Sequence, residues 1–228
     1  MSSQPETLPE KVKVWDPFVR VFHWSLITLF AIAWWSGENH EMDRHRQAGY
    51  AIFALVAFRV FWGFAGGRTA RFAQFLKGPG AVLAYVRSHD PEAPSDGHNP
   101  LGGWSVAALL GVISAITLAG LFAVDVDGIE SGPLADWVSF DAGRMASEWH
   151  EAVFKAALAV IGLHILAIGY YQVLNAHDLI GPMITGRRDR AKGETTPDVQ
   201  WSPIMALAGI AAVGALTWAV MNGLRLAG

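Results

Sequence analysis

Two histidines, His150 and His164, stand fourteen residues apart inside one apolar stretch, SEWHEAVFKAALAVIGLHILAIGYYQVL. At about 100° per residue, that spacing brings an α-helix back to within roughly 40° of its starting face, and at about 1.5 Å per residue it separates the two rings by roughly 21 Å. One helix therefore offers two imidazoles on one stripe, near opposite faces of a bilayer. His23 and His45 lie on two other apolar segments, at positions that complete one pair at each depth. Neutral imidazole is a strong axial ligand for iron in a macrocycle, and two of them fill both axial positions, leaving none for a substrate. Such a centre shuttles single electrons, and the spacing suits a helix bundle with two stacked haems. A single histidine in a membrane span can equally serve as a polar bridge between helices. Four at two matched depths argue for ligation, because ionisable residues in spans are costly and mark function.

The elements that must carry these residues follow from hydropathy. The 228-residue chain is 52% hydrophobic, and its apolar runs are long enough to cross a hydrocarbon core, which needs about 20 residues. Spans are expected at 18–37, 46–66, 101–124, 148–174 and 201–226. The absence of Cys excludes thiolate-held iron–sulfur clusters, C-x-x-C-H haem attachment and disulfides. A formal charge of −3 and the lack of a basic block with interleaved aromatics exclude a nucleic-acid partner. The polar start, MSSQPETLPEKVKVWDP, has no apolar core of a signal peptide, so the first span is expected to remain as a membrane helix.

Eleven Lys and Arg residues, between Lys11 and Lys192, fall on one side of the expected spans, against Arg44, Arg46, Arg144 and Arg225 on the other. The positive-inside rule then places the N-terminus in the cytoplasm and the C-terminus outside, in a multi-pass membrane protein. With that topology His45 and His150 share the outer level, and His23 and His164 the inner one. His40, in the acidic outer loop, is the one rival to His45. His89, His98 and His177 fall in polar connections, where solvated surface is the expectation.

Residues 1–17 read as a polar tail, 18–190 as the bundle, and 191–228 as a connection with the fifth span. Within the bundle, 68–88 mixes Phe and Leu with Arg and Lys and should lie in the membrane interface, broken at Gly78-Pro79. Asn99-Pro100 reads as a helix cap followed by a proline in the first turn. Gly49, one turn after His45, together with Gly111 and Gly120, would let a flat macrocycle approach the backbone, or serve ordinary helix packing. Arg59 lies fourteen residues after His45 and so on the same stripe at the inner level. It either pairs with acidic groups of the inner centre or snorkels to the interface. Arg20 and Arg46, each close to a proposed ligand, carry the same two readings. Lys155 is expected to pair with Glu151 one turn earlier. Eight tryptophans, including Trp15, Trp104 and Trp201, cluster near span ends, as interface anchors do.

At WDPFVRVFHW, HRQAGY, GHNPLGGWSV, WHEAVFKAALAVIGLHILAIGYY and MITGRR the sequence resembles the bacterial cytochrome b561 and nickel-hydrogenase cytochrome b family, over roughly residues 12 to 190. The resemblance implies an all-α integral protein of a bacterial inner membrane, a transmembrane four-helix bundle holding two haem b groups, here with a fifth helix. It implies ligands from the first, second and fourth helices, and electron exchange between a quinone pool and a partner redox protein. A periplasmic cytochrome c or another redox subunit would be that partner. The fifth span is similar to the hydrogenase-linked branch, so a membrane anchor of a hydrogenase or formate dehydrogenase complex is the nearest alternative. A transporter or metal-handling protein whose histidines bind zinc or relay protons is the alternative from another class. The outer loop from Asp125 to Arg144, rich in Asp, is a surface to which a basic electron carrier could dock.

Overall fold

The computed structural model describes residues 10–88, 97–174, 177–190 and 194–225, and within them the chain is an all-α membrane protein. Five helices are long and apolar enough to cross a membrane: α1 (Pro17–Glu38), α2 (Met42–Ala65), α5 (Pro100–Phe122), α6 (Phe140–Val173) and α8 (Pro203–Met221). Between them lie the short helices α3 (Phe72–Phe75), α4 (Pro79–Ser88) and α7 (Ile180–Thr185).

Helices α1, α5 and α8 begin alike. Asp16, Asn99 and Ser202 each cap the helix through a side-chain oxygen, and a proline follows at once. The cap satisfies an amide left over in the first turn, and the proline sits where its missing N–H costs nothing. Proline with a polar cap thus marks every described span that starts on the N-terminal side of the bundle. Helix α6 instead starts at Phe140, with Ser139 as cap and Asp141 in the first turn. Its 34 residues reach about 51 Å, well beyond a hydrocarbon core of about 30 Å, so its first turns stand above the membrane. The connection before α6 is eight residues shorter than the sequence suggested.

α1 lies against α2 and α5 against α6, and α2 joins the two hairpins while also carrying α8. Gly209 of α8 allows this last contact, since a Cβ there would lie 2.4 Å from a ring carbon of Phe61. Outward positions such as Leu163, Leu166, Ile204 and Leu207 are exposed and apolar, as a lipid-facing surface requires. The expected interfacial stretch is a short 3₁₀ turn followed by α3 and α4, with the break at Gly78 and Pro79. The polar tail is less free than the sequence suggested. Lys11–Lys13 (β1) pairs antiparallel with Arg187–Asp189 (β2), so the chain before α1 is tied to the chain after α6. Trp15 is not an interface anchor either, being 8% exposed within a cluster that includes Val12, Val19, Trp62 and Ala206.

Candidate metal-ligating histidines

At the outer level, His45 of α2 and His150 of α6 face each other across the bundle, with ring centroids 5.8 Å apart and planes at 75°. Each ring is fixed by a backbone carbonyl of the neighbouring helix. His45 Nδ1 donates to Ala33 O of α1, and His150 Nδ1 to Ile116 O of α5, both at 2.8 Å. A carbonyl only accepts, so each Nδ1 carries the proton and each Nε2 keeps its lone pair. This is the outer-shell pattern that orients a metal-binding imidazole. The helices repeat one device to hold the rings. Gly37 follows Ala33 by four residues and Gly120 follows Ile116 by four, and a Cβ on either glycine would lie 3.1 Å or less from the adjacent histidine ring.

Both rings line a cavity of about 520 Å³, within the range of small-molecule sites. Phe30, Trp34 and Phe154 supply its apolar walls, and Gly49 opens onto it with nothing within 4 Å of a Cβ built there. Gly111 also has open space, whereas Gly120 serves the histidine ring. Arg46 lies at the rim, bonded to Glu130 and, at 2.5 Å, to Asp43. His40 sits in the exposed turn between α1 and α2, at φ 57°, and the ring that stands against His150 is that of His45. Lys155 pairs with Glu151 at 2.7 Å, as its spacing predicted.

The inner level is built differently. His23 of α1 stands edge-on to Trp24 at 5.1 Å and is close enough to His164 of α6 to interact electrostatically. His164 Nδ1 lies 3.3 Å from Ser105 Oγ of α5, while His23 Nδ1 is buried without a partner. α5 therefore touches both histidines of α6, by a hydroxyl at one level and a carbonyl at the other. Arg20 donates through Nη1 to Ile184 O at 2.7 Å, and its Nε is buried without a partner. Arg59 does not snorkel: it is 3% exposed, with Cζ 5.3 Å from the Phe72 ring centroid and 5.9 Å from that of Phe75.

Sequence reasoning missed His98. Its ring lies 4.7 Å from that of Trp15 and 4.8 Å from that of Phe75, and its Nδ1 is buried without a partner. Burial pushes its pKa down to about 3, and the charges of Arg59 and His164 push the same way. The expectation of a solvated residue is corrected: the aromatic side chains of two distant segments enclose it. His89 lies outside the described residues.

Compared with curated proteins and with solved structures, the chain finds no match in either. The prokaryotic cytochrome b561 family, in contrast, matches residues 14–186, a stretch that holds all four spacing-matched histidines and both levels of the bundle. The chain belongs to that family, and is a membrane b-type cytochrome that binds haem b and transfers electrons.

Proposed function

We propose that the chain holds two haem b groups, one between His45 and His150 and one between His23 and His164, and passes single electrons across a bacterial inner membrane. A quinone pool would exchange electrons at one end and a partner redox protein at the other. The observation that carries this reading is the outer pair. Two metal–nitrogen bonds of about 2 Å each, with the distance from each ring centre to its Nε2, call for centroids roughly 6 Å apart, and the rings stand at 5.8 Å with both Nε2 lone pairs free of protons. The apolar cavity around them, with Gly49 left open, fits a flat macrocycle.

Bound haem iron supplies the one-electron chemistry. The chain's own residues orient and tune. Ala33 O and Ile116 O fix the tautomer of the outer ligands, and Ser105 contacts one inner ligand. Arg59, desolvated at the inner level, offers a positive charge to a propionate. Arg46 would share its charge with Asp43 and Glu130 in doing the same at the outer rim, and Arg20 is a third candidate beside His23. The basic flanks favour a cytoplasmic N-terminus. The zinc reading is weaker, because structural zinc takes four protein ligands and catalytic zinc three, and among the described residues no three His, Asp or Glu side chains gather. An absorption spectrum of the purified protein with haem and metal quantitation decides between them. Two haem b per chain with sharp reduced α and β bands is the expected result. A colourless preparation containing zinc, from cells well supplied with haem, would refute the proposal.

A further inference from the structure

Three independent features meet at the inner level. Arg59 is a nearly fully buried cation whose Nη1 has no partner. Asp16, its electrostatic counterpart, is already used: one oxygen accepts from Val19 N at 2.9 Å and the other from Trp62 Nε1 at 3.0 Å. His98 presents a second buried nitrogen without a partner, and its ring rests on Phe75, the same ring that lies under the Arg59 guanidinium. The backbone holds His98 there deliberately. Gly97 takes φ +111°, a conformation open to glycine, and a Cβ on it would meet Trp15 at 3.1 Å and Thr69 at 3.3 Å. Asn99 caps α5 on the other side, through a 2.6 Å bond to Gly102 N.

Two buried nitrogens that share one aromatic ring lack a partner: Arg59 Nη1 is a charged donor, and His98 Nδ1 is a neutral donor in its Nδ1–H tautomer. A buried donor without an acceptor is destabilising, and a buried charged one more so. A neutral carbonyl would satisfy one donor and leave the charge. A carboxylate supplies two acceptor oxygens and a negative charge closer than Asp16, whose oxygens are taken by Val19 and Trp62.

We propose that His98 and Arg59 form one receptor for a carboxylate of the inner cofactor, a haem propionate, with His98 giving a neutral N–H and Arg59 the charged one. This rests on the dihaem reading above and adds to it a positioning residue outside the four ligands. A redox titration of the purified holoprotein, with resonance Raman spectra of the propionate bands, tests it on wild type, Arg59→Gln, His98→Phe and His98→Asn. Arg59→Gln removes a cation beside the iron and should lower the inner midpoint by about tenfold in equilibrium constant, ~59 mV for one electron. His98→Phe keeps the ring contacts with Trp15 and Phe75 but loses the donor. It should lower the inner midpoint severalfold and shift the propionate bands, leaving the outer centre unchanged, and His98→Asn should restore most of both. In the double variant the two effects should fall short of additive, since both residues hold one group.

A His98→Phe protein indistinguishable from wild type, with two haems present, overturns the receptor and leaves the dihaem reading standing. A wild type that lacks an inner haem overturns both. If His98→Phe alters neither potential nor Raman bands but weakens binding of a short-chain quinone, the donors serve a quinone carbonyl and the propionate assignment fails.

Discussion

The two ends of the bundle solve the same problem in opposite ways. At the outer level both histidine rings are oriented by carbonyls of neighbouring helices, and a cavity lies between the helices that carry them. At the inner level Arg20 Nε, His23 Nδ1, Arg59 Nη1 and His98 Nδ1 are all buried without partners. The outer histidine rings are oriented by the polypeptide itself, with Asp125 Oδ1 the unpartnered atom at that cavity, whereas at the inner end four buried nitrogens lack partners within the described polypeptide. Four histidines matched by spacing thus stand in unmatched surroundings: one pair is held by backbone carbonyls beside a cavity, the other lies among buried nitrogens without partners.

The largest effects should come from filling the outer socket. Gly49→Leu places a side chain in open cavity space, so the fold should tolerate it while the outer centre is lost almost completely, read as one haem per chain instead of two. Retention of two haems would show that the cavity is not the cofactor's seat. Gly120→Ala acts on the ring, whose Cε1 lies 3.0 Å from the added Cβ. It should weaken or shift the outer centre without abolishing it, seen in the reduced spectrum.

Haem starvation probes the contrast next. In protein made without haem, amide exchange at the inner ends of α1 and α2 should rise by about tenfold relative to the outer ends, because each orphaned donor costs about 1–3 kcal/mol until its acceptor arrives. Equal protection at both ends would dissolve the distinction. A smaller effect is expected from acidity. Folded His98, facing Arg59 and His164, resists protonation down to about pH 3, against 6.5 for the unfolded residue. Between these values the unfolded chain binds one more proton, so this residue's share of stability is complete above 6.5 and is lost as pH falls toward 3. In haem-free protein, thermal midpoints should fall more steeply in wild type than in His98→Phe from about pH 7 to about pH 5; parallel slopes would contradict the burial of His98.

Much of this was legible in the residues themselves. Fourteen-residue spacing, span length and the Asn99-Pro100 cap are local signals, and local signals survive into the fold. The start of α6 was missed because hydropathy fades where Asp141 and Arg144 begin, although Ser139 and Asp141 are themselves helix-start residues. The acceptors for His45 and His150 are backbone carbonyls, which have no letter in a sequence; only the four-residue steps Ala33 to Gly37 and Ile116 to Gly120 hint at them. His98 was unreadable for a different reason, since its walls, Trp15 and Phe75, come from other parts of the chain. The nearest clue was Gly97 beside the cap, a turn tight enough to commit the next side chain.

The claim that the histidines work in twos, by level, is tested most directly by resolving the two centres spectroscopically in His23→Ala, His45→Ala, His150→Ala and His164→Ala. His45→Ala and His150→Ala should remove one and the same centre, and His23→Ala and His164→Ala the other. Loss of the same centre in His45→Ala and His164→Ala, or a single centre touched by all four, would contradict it.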